Sequence, residues 1–266
     1  MGQALLKAIL AQAGVYPTRL TEAYRLKALI RELAPWNTGK NLIRLGRMGD
    51  GGYLIPDDLD GIEACFSPGV SNIVEFERAC ADRGMRVFLA DNSVQNLPLD
   101  HDLFVFTRKH VGAITGDNVI TLDEWVGASL PDSSTELMLQ MDIEGCEYET
   151  LLSVSTPTLR RMRILVVEFH NLEKLWSKPF YCIASRAFEK VLQTHRCVHL
   201  HPNNSEGSEV RAGLEIPRVM EMTFLRHDRL TNPSPTRVFP HELDCDNDPE
   251  QPPLPLPRCW YDGSLS

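Results

Sequence analysis

Two segments in the middle of this chain carry side chains that could do chemistry. One apolar segment is followed by Asp142 and Glu144, and the next apolar segment ends in Glu168 and His170. Short apolar segments of this kind are typical of buried parallel strands, whose carboxyl ends form the ligand-binding edge of an open sheet. The sequence therefore predicts that these four side chains meet in one crevice.

Two kinds of chemistry fit this set of side chains. His170, with an ordinary pKa of about 6.5, suits a general base, and Glu168 or Asp142 would then orient its ring. Alternatively, Asp142, Glu168 and His170 suit a hard divalent cation such as Mg²⁺, which prefers oxygen ligands. The sequence leaves both schemes open.

A second candidate site follows the first two predicted strands. Ser67 and Gly69 come after the first strand and allow backbone N–H groups to face a ligand at a helix N-terminus. Asp91 and Asn92 follow the second strand, where an acid can accept hydrogen bonds from ribose hydroxyls. The turn has one glycine, so the dinucleotide fingerprint G-x-G-x-x-G is absent. This pattern favours S-adenosylmethionine over NAD.

A glycine-rich turn precedes these strands. Residues 42–47 and 53–56 are predicted to form a hairpin around the sequence Met-Gly-Asp-Gly-Gly. Glycines at such a turn allow positive φ angles and a close approach of the backbone to a ligand. Asp50 and Gly51 are therefore candidate ligand-binding residues, although a plain hairpin turn explains the same pattern.

The elements that must position these groups alternate along the chain. Short β-branched segments alternate with helical patterns, which predicts an α/β protein with a mostly parallel sheet and helices on both faces. Predicted strands lie at 62–66, 86–90, 103–107, 137–141, 164–169, 198–201 and 219–225. Predicted helices lie at 72–83, 122–126, 147–154 and 180–194.

The ends of the chain differ from this alternating region. Residues 3–35 show the spacing of one or two amphipathic helices, and the chain becomes proline-rich after Asn232. We expect this tail to make no regular structure and to lie extended on the surface or be disordered. The predicted organisation is a helical cap at 1–40, an α/β domain at 41–232 and an extension at 233–266.

Composition excludes several classes of function. The chain has 266 residues, 43% of them hydrophobic, and a net charge of -9, which argues against nucleic acid as the main partner. No apolar stretch approaches the roughly 20 residues of a membrane span, and the first residues do not resemble a signal peptide. The seven cysteines form no C-x-x-C pair, so we expect a reducing, cytoplasmic location.

Some other titratable residues have simpler interpretations. Glu147 follows a predicted strand and is interpreted as an acid at a helix N-terminus. His195, His199 and His201 alternate at period two and are predicted to share one strand face. Three imidazoles on one face could bind zinc, but no cysteine or acid lies in register with them.

Together, these segments resemble the FkbM family of S-adenosylmethionine-dependent methyltransferases, within the Rossmann-like methyltransferase class. The order and spacing of the matching pieces cover residues 40–230. The pieces are 47–53, 66–70, 76–77, 89–91, 121–123, 140–145 and 167–170.

The resemblance implies a class I methyltransferase fold, in which a seven-stranded sheet ends in a reversed hairpin. It also implies methyl transfer to a hydroxyl of a sugar or natural product. Ser67, Gly69 and Asp91 would line the cofactor, and Asp142 and Glu144 would border cofactor and acceptor.

The chain departs from the wider class at residues 66–69, where an acid and more glycines are common. Glu77 or Asp50 is therefore predicted to contact the methionine amino group instead. Two other functions remain open, a Rossmann-like NAD(P) oxidoreductase and a non-catalytic binding protein that keeps this fold.

Overall fold

A computed structural model of the chain describes residues 17–263, together with residues 10, 12 and 14. One or two helices were predicted at residues 3–35. Apart from residues 10, 12 and 14, the part of this range before residue 17 lies outside the described residues. The helices are α1 (Ala23–Glu32), α2 (Glu75–Ala81), α3 (Leu122–Ser129), α4 (Glu147–Ser153), α5 (Thr156–Arg161) and α6 (Lys178–Leu192). Short 3₁₀ turns occur at Leu172–Trp176, His227–Arg229 and Arg258–Trp260.

The strands outnumber the helices because several short pairs flank the main sheet. In chain order they are β1 (Trp36–Asn37), β2 (Leu42–Gly46), β3 (Gly52–Pro56), β4 (Ala64–Pro68), β5 (Arg86–Ala90), β6 (Phe104–Thr107), β7 (His110–Val111), β8 (Val119–Ile120), β9 (Leu137–Met141), β10 (Met162–Phe169), β11 (His195–Pro202), β12 (Ser208–Arg211), β13 (Leu214–Pro217), β14 (Met220–Arg226) and β15 (Ser234–Pro235).

The central sheet has seven strands in the order β11-β14-β10-β9-β4-β5-β6. Strand β14 is antiparallel to both of its neighbours, and the other recorded pairings in the sheet are parallel. The prediction of a mostly parallel sheet with a reversed final hairpin is therefore confirmed. Strand order reverses between β4 and β9, and ligands bind at such a switch point in open α/β sheets.

Both faces of the sheet are buried, as the continuous apolar strands require. Leu139 and Val167 point into a first core against α1, α3, α4 and α6, whereas Met138 and Val166 point into a second core. The second core lies under α2 and the β2–β3 hairpin. The prediction of helices on both faces is thus incomplete, because a hairpin covers much of the second face.

The C-terminal extension contradicts the prediction of an irregular surface tail. Strand β15 pairs with β1, and the last 3₁₀ turn places Trp260 in the first core at 0% exposure. The Trp260 indole N–H donates to the carbonyl of Glu215 at 3.1 Å. Prolines prevented a helix or long strand here, but the apolar residues between them still gain from burial.

The three histidines of β11 do not share one face. A bulge between Cys197 and His199 breaks the alternation. His199 and His201 lie within 4 Å of Asp244 from the extension, whereas the His195 ring lies 2.7 Å from the carbonyl of Met162. The predicted common face is therefore wrong.

Within the part of the chain that the structure describes, every helix is too short or too polar to cross a membrane.

Replacing Trp260 with alanine should lower the free energy of unfolding by about 3–5 kcal/mol, because a fully buried indole leaves a cavity. The measurement is urea unfolding. Val238→Ala is the matched control in the same extension, since Val238 is 78% exposed, and should change stability by less than about 0.5 kcal/mol. Equally small effects of both variants would contradict a structural role for the extension.

Candidate active site

A cavity of about 820 Å³ opens at the carboxyl ends of β4, β5 and β9. This volume is within the usual range for small-molecule sites. A second, small polar cavity of about 30 Å³ adjoins it and shares Gly69, Ser71 and Asp142 with it. The two cavities lie at the edge that the sequence predicted.

The backbone after β4 borders both cavities. The Gly69 N–H donates to the carbonyl of Ala90 at 3.0 Å, and the Asp142 N–H donates to the carbonyl of Pro68 at 3.2 Å. Gly69 has a φ of +94°, and a Cβ atom there would lie 1.4 Å from the Asp142 carbonyl oxygen. These contacts hold the ends of three strands together, and only glycine fits the crossing.

Asp91 lines the large cavity at the end of β5. Its Oδ1 accepts a hydrogen bond from the Ser93 N–H at 2.6 Å and lies 3.9 Å from His110 Nδ1. Asn92 is not among the lining residues. The carboxylate is therefore fixed by its own turn and still borders open space.

The wall beyond Asp91 is apolar and was missed by sequence analysis. Val111 and Val119, from the paired strands β7 and β8, line the cavity together with Val94. Each strand of this pair has two residues, too few for a periodic signal. This side of the large cavity therefore presents apolar side chains next to the Asp91 carboxylate.

The small cavity is polar and includes Asp50, Gly51 and Glu77. Glu77 is 6% exposed, and burial raises the pKa of its carboxyl group. Gln140, a further lining residue, was not singled out from the sequence. Gly51 has a φ of +75°, and a Cβ atom there would lie 2.6 Å from a methyl carbon of Ile73.

Ser67 lies beneath the small cavity rather than in its lining. The residue is fully buried. Its hydroxyl donates to Glu77 Oε1 at 2.6 Å, and Oγ also lies 2.7 Å from Gln140 Oε1. Ser67 therefore positions two lining residues.

His170 lies among three carboxylates at the end of β10. Its Nδ1 is 3.2 Å from Glu147 Oε1, and its Nε2 is 3.5 Å from Glu144 Oε2 and 3.8 Å from Asp142 Oδ1. The structure thus brings together three of the four side chains predicted to meet, Asp142, Glu144 and His170. Glu147, interpreted from the sequence as a helix-start acid, is their fully buried neighbour.

Glu147 is held in place by the turn before α4. Its Oε1 accepts hydrogen bonds from the N–H groups of Ile143 at 3.2 Å and Gly145 at 2.9 Å. The helix-start interpretation is therefore correct in position but incomplete, because the same oxygen also contacts the His170 ring. With Nδ1–H donating to Glu147, Nε2 is the ring nitrogen that faces Asp142 and Glu144.

Burial and mutual repulsion perturb the pKa values of this cluster. Burial opposes the charged form of His170, but the hydrogen bond to Glu147 and the surrounding carboxylates outweigh it and raise the pKa to about 9. Burial, together with repulsion from Glu168, raises the pKa of Asp142 to about 8. Asp142 Oδ1 is also buried without a hydrogen-bond partner among the described residues. Such perturbed groups are typical of functional sites.

Glu168 belongs to a neighbouring group of buried polar residues. It is paired in register with Glu221 on β14 and accepts a hydrogen bond from the Asn203 side chain at 2.8 Å. Burial and the charge of Glu221 raise the pKa of Glu168 to about 8. Among the residues that the structure describes, the side chains whose metal-ligating atoms lie within 4.8 Å of one another are Asp142, Glu147 and His170, so Glu147 takes the place predicted for Glu168.

Glu144 has a strained backbone. Its φ is 55°, and the following Gly145 also has a positive φ of 102°. A glutamate rarely adopts this conformation unless its surroundings impose it. The turn leaves the Glu144 side chain 85% exposed at the edge of the large cavity, within reach of His170.

Comparison with known proteins adds no relative. No protein-family model matches the chain, and no curated protein matches it significantly. The geometry of the site therefore carries the functional argument.

Gly69→Ala and Gly84→Ala together test the backbone crossing. Both glycines have positive φ angles, +94° and +85°, but a Cβ at Gly84 meets nothing within 4 Å. Backbone strain should lower the free energy of unfolding of both variants by about 1–2 kcal/mol. The steric clash should lower that of Gly69→Ala by at least about 2 kcal/mol more. Urea unfolding of both variants measures this difference. Equal losses would show that the crossing is not tightly packed.

Proposed function

We propose that this chain is an S-adenosylmethionine-dependent O-methyltransferase that methylates a hydroxyl of a sugar or glycosylated metabolite. The observation that carries the proposal is that Asp91 and Asp142 border one cavity at the reversal point of the sheet. A nucleoside bound at Asp91 would thereby extend its reactive end toward Asp142 and the His170 cluster. The seven-stranded sheet and its reversed hairpin also fit the resemblance to the FkbM family.

The two cavities suit the parts of this cofactor. Asp91 would accept hydrogen bonds from the ribose hydroxyls, and the apolar wall at Val111 and Val119 would hold the adenine. The adjoining polar cavity, with Asp50 and Glu77, would receive the methionine ammonium group. The cofactor's sulfonium would then lie near Asp142, where a carboxylate favours positive charge.

Methyl transfer is an in-line displacement, so the protein mainly aligns the acceptor oxygen, the methyl carbon and the sulfur. A sugar hydroxyl is a weak nucleophile, and a base that removes its proton accelerates the reaction. His170 would take the proton on Nε2 while Glu147 holds Nδ1–H and stabilises the imidazolium that forms. In this arrangement Glu147 orients the His170 ring, a role that the sequence predicted for Glu168 or Asp142.

A divalent cation is the alternative way to activate the hydroxyl. Asp142, Glu147 and His170 would hold it, and oxygen-rich ligands suit Mg²⁺. When bound, the cation would lower the pKa of the acceptor hydroxyl as a Lewis acid. The same three residues serve both schemes, so a chelator distinguishes them.

The NAD(P) oxidoreductase alternative is disfavoured by charge at the first turn of α2. Glu75 and Glu77 lie there, where a dinucleotide-binding protein would hold the pyrophosphate. The buried Glu77 would meet that phosphate directly. A non-catalytic binding protein remains the alternative if a cofactor binds without turnover.

Binding of S-adenosylhomocysteine, with NAD as control, tests the cofactor. At about 100 times its dissociation constant, a ligand should stabilise the fold by about 2.7 kcal/mol, which a thermal unfolding curve detects. Asp91→Ala should weaken S-adenosylhomocysteine binding by about tenfold or more, because hydrogen bonds to a charged group are lost. A shift with NAD alone would support the oxidoreductase, and no shift with either ligand would contradict both enzymes.

The pH dependence of kcat/KM tests the general base. His170 acts only when neutral, so kcat/KM should rise with pH up to about 9, the pKa to which its neighbours raise it. Glu147→Gln removes one of the groups that raise this pKa, and its profile should move to lower pH. His170→Ala should lower kcat about 10²–10⁴-fold.

His227→Ala is the control for these variants, because His227 is exposed and distant in sequence from the cluster. It should leave kcat unchanged. Turnover that survives in His170→Ala would contradict the base assignment, and loss of wild-type activity with a chelator would favour the metal scheme.

A further inference from the structure

A chain of buried hydrogen-bonding groups runs along the small polar cavity. Ser67 Oγ lies 2.6 Å from Glu77 Oε1 and 2.7 Å from Gln140 Oε1. The Gln140 amide in turn directs Nε2 to the Tyr53 hydroxyl at 3.3 Å. All four residues are buried, so their polar atoms depend mainly on one another for hydrogen bonds.

The number of hydrogens in this chain is linked to the charge of Glu77. The Ser67 hydroxyl has one hydrogen and can donate to only one of the two oxygens beside it. If Glu77 is ionised, Ser67 donates to it, and Ser67 Oγ faces Gln140 Oε1 with no hydrogen between them. If Glu77 is protonated, it donates to Ser67, and Ser67 donates to Gln140. With the amide in this orientation, only the protonated form satisfies both contacts.

The carboxyl groups around Glu77 also favour its protonated form. Glu75 precedes it on α2, and Asp50 and Asp142 line the same cavity. Within the part of the chain that the structure describes, no lysine or arginine lines this cavity or pairs with Glu77. Burial, together with the charge of Glu75, raises the pKa of the Glu77 carboxyl group.

The other titratable groups near Glu77 supply no positive charge. They are the Tyr53 hydroxyl on β3 and the Cys80 thiol on α2, and burial raises the pKa of each well above its ordinary value. Both groups are therefore neutral near pH 7. The positive charge that an ionised Glu77 needs has to come from a ligand.

We infer that Glu77 is protonated while the small cavity is empty and releases this proton to the solvent when the ammonium group of the cofactor binds. The inference rests on the proposed function and adds that cofactor binding is coupled to pH. The ammonium keeps its own charge, and the Ser67 hydroxyl then donates to the new carboxylate. Ser67 and Gln140 are positioning residues in this scheme, because they act on the cofactor through Glu77.

The sign of the pH dependence follows from this proton release. Below the pKa of Glu77 in the empty protein, a bound ligand must displace a proton, which lowers its affinity by up to about tenfold per pH unit. Above that pKa the carboxylate is already ionised, and the affinity no longer depends on this group. Affinity for the cofactor should therefore rise with pH and then level off.

Calorimetric titration of the protein in two buffers of different ionisation enthalpy counts the released protons. The ligand is S-adenosylhomocysteine, titrated from about pH 5 to about pH 7, where its amino group stays protonated. Proton release should be largest at the low end of this range and approach about one per ligand. 5′-Methylthioadenosine has the same nucleoside and thioether but no amino group, and should bind without releasing a proton.

Two results with the wild-type protein would overturn the inference. Equal proton release with both ligands would place the proton outside the small cavity. No release with S-adenosylhomocysteine would mean that Glu77 is ionised in the empty protein, with the Gln140 amide rotated so that Nε2 donates to Ser67.

Glu77→Gln locates the proton. The glutamine amide can still form a hydrogen bond with Ser67, so the fold should be retained, but it has no proton to release. Proton release should disappear, and affinity for S-adenosylhomocysteine should fall about tenfold or more, because a hydrogen bond to a charged group is lost. Affinity for 5′-methylthioadenosine should be unchanged. Proton release that persists in Glu77→Gln would overturn the assignment to this residue.

Glu75→Gln is the matched control. Glu75 is half-buried on the first turn of the same helix and lies outside the lining of both cavities. This variant should still release a proton when S-adenosylhomocysteine binds. Loss of the release in both variants would show that the helix, and not Glu77 itself, is responsible.

S-adenosylhomocysteine binding to the wild-type protein separates the two proposals. If it does not bind at any pH, the proposed function fails and the inference falls with it. If it binds without releasing a proton, only the inference about Glu77 fails.

Discussion

The site depends on one close backbone crossing. The chain leaving β4 passes the chain leaving β9 so tightly that the Gly69 position has no room for a side chain beside the Asp142 carbonyl. Hydrogen bonds from this crossing to β5 and β9 fix the relative positions of three strand ends. Because of that, Asp91 and Asp142 border the same cavity, and the small polar cavity opens beside it.

Charge balance is the second constraint on this edge of the sheet. Several buried carboxyl groups lie near one another, and burial raises the pKa values of Asp142, Glu168 and Glu221 to about 8. Isolated buried carboxylates are costly, so such groups must be paired, hydrogen-bonded or protonated. The imidazolium of His170 compensates part of this charge, and the side chains of Asn203 and Asn247 donate to the two glutamates. A cationic ligand would relieve the remaining repulsion.

The β2–β3 hairpin on the second face links the C-terminal extension to the site. The backbone carbonyl of Asn247 accepts a hydrogen bond from the Asp50 N–H at 3.3 Å, while its side chain reaches Glu221 at 2.7 Å. The Arg44 guanidinium, from the hairpin, donates to the carbonyls of Gly49 and Leu243. The extension therefore helps to position the glycine-rich turn, although it lies far from that turn in sequence.

The sequence by itself determined the elements of the sheet and the acids at the strand ends, because apolar periodicity and the positions after buried strands are local properties. It also indicated the absence of a dinucleotide fingerprint. Only the tertiary structure decided that Glu147 rather than Glu168 contacts His170, that β11 carries a bulge and that Trp260 enters the core. These depend on register, on helix orientation and on burial between distant segments, and no local pattern of residues encodes them.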